Sequence, residues 1–168
     1  MSTLLRALPI LAVAALPLPC LGEGNMKFSG QLFAPPACTV SDKGGRMEVR
    51  FEGTIAINRI DGKDYRRQTI PYQVECPGAA DAGITWHMRL TLIGTDAHFD
   101  PSALKTSEND LGIRVLLGGT ALIPNQPREI DLNTANVPVL EAVPVKLTGA
   151  ELPSTNFTAS ALLIAELY

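Results

Sequence analysis

The chain has 168 residues, a length that fits one domain. Its 14 Lys and Arg against 17 Asp and Glu set a formal net charge of −3. This mild acidity argues against nucleic acid or an anionic membrane surface as a partner.

Residues 1–22 carry a single charge, Arg6, then an apolar run over 7–18 interrupted by Pro9 and Pro17, then Gly22. A short charged stretch, an apolar stretch and a small residue at the cut form the layout of a secretory signal peptide. The run is too short to span a bilayer. A buried N-terminal helix is the other reading, and Cys20 raises a lipid-anchored one that Pro19, directly before it, fits poorly. Cleavage after Gly22 removes one basic residue and no acidic one, so the exported chain is one unit more negative. It also removes Cys20 and leaves Cys38 and Cys76. An even pair in an exported chain reads as a disulfide. Closing a loop of that length stabilises by roughly 4 kcal/mol in the chain-entropy model. Two free thiols or half of a metal site are the alternatives; neither Cys has a CxxC neighbour, and His87 and His98 are isolated.

Beyond residue 22 period-two patterning dominates. Met26, Phe28, Gly30, Leu32 and Ala34 fall on one face of an extended segment. Gly30 interrupts that face, where a packed core strand prefers a side chain. Pro35-Pro36 ends the segment. Met47, Val49 and Phe51 alternate with Glu48, Arg50 and Glu52, and a short run follows at 54–57. Ile70, Tyr72, Val74 and Cys76 alternate with Pro71, Gln73 and Glu75. Ile84, Trp86, Met88, Leu90 and Leu92 form the longest clean alternation. Pro101 suits a first helical position, so residues 100–110 are expected to hold a short helical turn. Ile113, Val115 and Leu117 alternate, as do Val143, Val145 and Leu147, where Pro144 on the opposite face points to an edge or a strand start. Turn signals separate these runs at 43–45, 61–62, 77–78, 118–119, 124–125 and 133–136. Residues 157–168 close the chain with Phe157, Ala159, Ala161, Leu163, Ala165 and Leu167 on one face. No Pro or Lys blunts this last strand, so it is either paired within the chain or meant for another one.

Short strands with frequent turns and no sustained helical period predict an all-β, antiparallel, immunoglobulin-like sandwich. Trp86 lies after Cys76 rather than between the two Cys, which excludes the antibody pattern. No GxSxG elbow, HExxH pair or phosphate-binding Gly loop is present, so an enzyme is not expected. His87 sits in the polar register of its strand, and His98 lies in a polar loop with Asp96 and Asp100. The Asn156-Phe157-Thr158 sequon reads as incidental.

Four features in order resemble the pilin subunits of chaperone–usher fimbriae of the type 1 and P-pilus kind. They are a signal peptide followed by an alternating arm with Phe28-Ser29-Gly30; the entry Pro35-Pro36-Ala37-Cys38-Thr39-Val40; the stretch INRIDGKDY (57–65) followed by IPYQVEC (70–76); and the C-terminal alternating strand with Ala159 and Ala161.

The resemblance implies an immunoglobulin-like sandwich lacking its final strand, carried by an N-terminal donor-strand arm. It divides the chain into a signal peptide (1–22), an N-terminal extension (23–37) and a pilin domain (38–168). The donor residues are Met26, Phe28, Gly30, Leu32 and Ala34. The acceptor groove and chaperone-binding strand are Phe157, Ala159, Ala161, Leu163, Ala165, Leu167 and Tyr168. The implied function is a structural subunit of an adhesive fimbria, assembled by donor-strand exchange, without cofactors. Its partners are a periplasmic pilus chaperone, an outer-membrane usher and neighbouring pilin subunits, and it is exported through the periplasm to the Gram-negative surface. The short arm fits a minor or adaptor subunit as well as a rod subunit. The rival reading is a self-contained secreted sandwich that recognises a sugar or a protein, with Trp86 and Tyr72 as its stacking candidates.

Overall fold

The computed structural model describes residues 26–41, 47, 49–51, 53–80, 83, 85–130 and 138–168. The expected signal peptide lies outside them, as do the turns at 43–45 and 133–136. The chain divides into two units, Met1–Phe33 and Ala34–Tyr168.

Among the described residues the second unit is built from strands and one 3-10 turn, Ile57–Arg59. In chain order the strands are β1 (Thr39–Ser41), β2 (Gln68–Ile70), β3 (Gln73–Glu75), β4 (Met88–Ile93), β5 (Asp96–Ala97) and β6 (Asp100–Lys105). There follow β7 (Leu111–Leu117), β8 (Thr120–Ala121), β9 (Pro127–Ile130), β10 (Leu140–Lys146) and β11 (Leu162–Leu167). One sheet runs β2-β10-β7-β6-β5, with β8 paired to β7; a second runs β11-β4-β9; β1 and β3 form a two-stranded ribbon. Every pairing is antiparallel.

The two larger sheets enclose the core. On β4, Met88, Leu90 and Leu92 are buried while Arg89 and Thr91 face outward. On β11, Leu163, Ala165 and Leu167 turn the same way and pair with Leu92, Leu90 and Met88. Ile113, Val115 and Leu117 of β7 and Leu140 and Ala142 of β10 meet them from the opposite sheet. Both faces of β7 and β10 are covered, because Ala97, Ala103 and Val145 form a second, smaller cluster with Phe99 on the far side. Gly112 lies at that junction. A Cβ there would stand 3.1 Å from the Ala103 Cβ and 3.2 Å from both the Leu104 carbonyl and Val145, so a side chain on β7 at this point would press on its neighbours in β6 and β10.

Four expectations change. Residues 100–105 form strand β6, not a helical turn. Ala103 and Leu104 are buried and pair with Arg114 and Ile113, and this burial outweighs the local suitability of Pro101 for a helix start. The run from Ile70 to Cys76 keeps its alternation but breaks at Pro71-Tyr72, so that β2 joins the large sheet and β3 joins β1. The run at 54–57 forms no strand and leads into the 3-10 turn. Pro144 lies inside β10 and is fully buried. The bonds from Gly118 N–H to the Val139 carbonyl and from Leu147 N–H to the Asp110 carbonyl show that odd-numbered residues of β10 face β7. The Pro144 nitrogen therefore faces the other edge, beyond Ala142, where the pairing with β2 has already ended. Its missing donor costs no ladder bond.

The bridge between Cys38 and Cys76 forms, tying the start of β1 to the end of β3 where Thr39 pairs with Glu75.

Candidate strand-binding cleft

A sandwich closes its core only if both sheets reach their edges, and here one edge is open. Strand β11 pairs with β4 on one side and, among the described residues, with no strand on the other. Ahead of β11, residues 157–161 join no ladder. Across from them Met47, Val49 and Phe51 keep the in-out alternation of a strand, half-buried with Arg50 exposed between them, yet they too belong to no sheet. A cleft of about 1900 Å³ lies between these two lips. Ile70, Leu92, Ile113 and Val115 line its floor, so it opens directly onto the hydrophobic core.

The first lip is held by side chains instead of a ladder. The Ala56 N–H donates to the Tyr65 hydroxyl at 2.9 Å, and the Arg66 guanidinium donates to the Thr54 carbonyl at 2.9 Å. Tyr65 is fixed by the turn before it, where the Asp61 carboxylate accepts from the N–H groups of Lys63, Asp64 and Tyr65 at 2.8, 3.1 and 3.1 Å. These bonds, the one from Lys63 first, hold the Asp61 carboxyl below the usual range. The Ala56 N–H lowers the Tyr65 hydroxyl in the same way, with Arg66 adding to it. The Arg59 guanidinium stacks 4.8 Å from the Tyr65 ring centroid. The second lip is anchored at Thr158, whose carbonyl accepts from the Ser107 N–H at 2.9 Å and whose N–H donates to the Ser107 hydroxyl at 3.1 Å.

The residues expected to form the acceptor divide between the open and closed parts of this edge. Phe157, Ala159, Ala161 and Leu163 line the cleft. Ala165 and Leu167 are buried beside β4. Tyr168 closes the ladder by exchanging both backbone bonds with His87, at 2.9 and 3.0 Å. Its ring lies 5.7 Å from His87 and under the Arg89 guanidinium at 5.5 Å. A hydrogen bond with Glu129 raises the Tyr168 hydroxyl, burial adds to the rise, and Arg89 opposes it. The expected donor residues in the first unit are exposed, Met26 at 79%, Phe28 at 86% and Leu32 at 99%, with Gly30 in open space; Ala34 is exposed as well. Alternation singles out both sets of residues in the sequence, and only the resemblance assigns them their roles. Met47, Val49 and Phe51 carry the same alternation, but nothing in it separates a lip outside the sheets from an ordinary strand, and the anchors Tyr65 and Arg66 carry no signal of that role.

Trp86 and Tyr72 are engaged in the fold. The Trp86 indole N–H donates to the Ala79 carbonyl at 3.0 Å, and the Tyr72 hydroxyl donates to the Pro138 carbonyl at 2.7 Å. Both are half-buried against the core, and burial raises the Tyr72 hydroxyl. His87 is exposed, and His98 sits 3.6 Å from Asp110. Among the described residues no three His, Cys, Asp or Glu side chains gather as metal ligands, and no helix is long and apolar enough to cross a membrane.

An immunoglobulin-like sandwich that lacks its final strand and leaves a core-deep cleft in its place is the architecture of a pilus subunit. Residues 26–166 match the family described as fimbrial protein, and the chain belongs to it. It is 36% identical over 142 residues to the uncharacterized fimbrial-like protein YfcQ of Escherichia coli K12, covering 84% of this chain and 85% of that one. To YfcR of the same strain, also an uncharacterized fimbrial-like protein, it is 29% identical over 136 residues, covering 79% and 74%. Its fold is similar to that of the P pilus rod subunit PapA, with a TM-score of 0.56 and 22% identity over 80% of this chain and 100% of that one. A chain from a chaperone–usher pilus studied for rod uncoiling matches with a TM-score of 0.55 and 21% identity, over 89% and 98%. The protein is a structural, non-enzymatic subunit of an extracellular fimbria.

Proposed function

We propose that the subunit polymerises by donor-strand exchange: the arm of one copy or of another pilin fills the cleft of its neighbour, and a periplasmic chaperone holds the cleft before an outer-membrane usher catalyses the exchange. The observation that supports this reading is the cleft itself, whose two lips lie outside the sheets among the described residues, above an apolar floor. An added strand satisfies backbone groups on both lips and covers the floor with alternate side chains. The exposed alternation of Met26, Phe28 and Leu32 supplies a strand of that kind. Burying Phe28 and Leu32 contributes about 1.5–3 kcal/mol each, and each ladder bond about 0.5–1.5 kcal/mol. An arm that enters the next subunit makes a head-to-tail contact that does not close, so it builds a filament. In this reading residues 1–22 direct export, residues 23–37 form the extension, and 38–168 the acceptor domain.

Deleting residues 23–34 tests it. The shortened subunit should still form a soluble complex with its chaperone and should add to no neighbour, seen as loss of the polymer ladder on unboiled gels. A shortened subunit that loses its chaperone complex and its fold would show the arm to be an ordinary core strand.

A further inference from the structure

Phe51 and Phe157 stand on opposite lips of the cleft, and their rings meet with centroids 6.0 Å apart at an interplanar angle of 43°. We infer that this pair is a latch: it closes one level of the cleft in the empty subunit and must part before a strand seats there, so it sets the rate of strand entry. The inference rests on the strand-binding reading above and adds a control element to it.

The argument is one of volume. A strand seated between two others lies 4.7–4.9 Å from each, so the backbones it joins stand nearly 10 Å apart. At the level of Phe51 and Phe157 the space beneath such a strand is filled from both sides by aromatic rings. An inward side chain of the entering strand claims that same space. The rings can yield because neither Phe51 nor Phe157 lies in a strand of the sheets. Both rings are half-buried against the core rather than enclosed by it. An aromatic pair of this geometry is worth about two- to tenfold in an equilibrium constant. That magnitude delays entry without forbidding it. The neighbouring lip residue Val49 lines the same cleft and carries no ring, which provides an internal control.

The test is a double-mutant cycle on strand uptake. The full chain, refolded with its disulfide, is mixed with a labelled peptide of residues 24–34, and the association rate is followed by fluorescence anisotropy. Phe51→Ala and Phe157→Ala should each raise the rate about three- to tenfold, and the double variant should gain no more than the faster single one, because a single contact is removed either way. Val49→Ala should stay within twofold of the parent. Phe51→Leu and Phe157→Leu keep apolar volume while removing the ring contact, and they should show the same acceleration if an alanine variant fails to fold. Rates within twofold of the parent in the leucine pair, or gains that multiply in the double variant, overturn the latch while leaving strand binding intact. A parent chain that takes up no peptide overturns the strand-binding reading and the latch with it.

Discussion

Asp100 shows how a single polar group is kept inside this sandwich. Burial by itself would raise its carboxyl, but the Ser102 hydroxyl and N–H and the Arg114 guanidinium bond to the charged form and hold it below the ordinary value of 3.8. Arg114 also donates to the Gly62 carbonyl at 2.9 Å and to the Ser102 hydroxyl at 3.1 Å, so it joins the 61–65 turn to strands β6 and β7. Because the folded value is depressed, the stabilisation is fully present above pH 3.8 and is lost as the pH falls through the lower folded value. The urea midpoint should therefore fall in acid below that point. Asp100→Asn should lower the midpoint at neutral pH and flatten the acid part of the profile. A profile identical to the parent's would show that Asp100 adds nothing to folding. At Arg66 the backbone adopts φ of 58° and the buried Nε has no hydrogen-bond partner; its terminal nitrogen nonetheless holds the Thr54 carbonyl of the first lip.

Among the elements, β1 is the one that depends most on covalent support. It has three residues, pairs only with β3 among the described strands, and stands beside the open edge, where Val40 lines the cleft. Three ladder positions are a weak hold for a strand. The Cys38–Cys76 bridge compensates by fixing the start of β1 to the end of β3. Replacing both Cys with Ser should cost about 2–5 kcal/mol, read as a shift in the chemical unfolding midpoint. Native-state hydrogen exchange should accelerate first at Val40 and Val74, the paired centre of this ribbon. Uniform acceleration over all strands would instead place the bridge's effect in the unfolded chain alone. Strand β11 is hybrid by contrast: Leu163, Ala165 and Leu167 complete a core ladder, while ahead of it Phe157 is half-buried at the cleft and Ala159 and Ala161 are exposed.

For the molecule as a whole, the open cleft makes stability a matter of occupancy. A strand that binds the folded subunit and not the unfolded one stabilises it by mass action. Adding the peptide of residues 24–34 to the arm-deleted subunit should raise its thermal midpoint progressively, and the rise should continue with the logarithm of concentration even after the cleft is saturated. A peptide with Phe28 and Leu32 replaced by Ser should raise it far less, since these two side chains supply most of the apolar area. A midpoint indifferent to either peptide would mean that the core is closed without a donor.

How much of this was legible beforehand depended on whether a residue's partner was close in pattern or only in space. The alternation of Met88, Leu90 and Leu92 and of Leu163, Ala165 and Leu167 could be read directly, because a strand with one wet face writes its orientation in period two. Strand β6 could not, since Asp-Pro-Ser suits a helix start and only the burial of Ala103 and Leu104 against β7 overrides it. Pro144 looked like a boundary because the chain does not show where β2 ends beside it. The pair of Cys, the alternation of the arm and the strand-rich class were determined by the sequence by itself, each being a local or compositional property. The width of the cleft, its anchoring through Tyr65, Arg66 and Ser107, and the meeting of Phe51 with Phe157 were decided only by tertiary structure. They join segments far apart along the chain, and only the packing of the two sheets sets those distances.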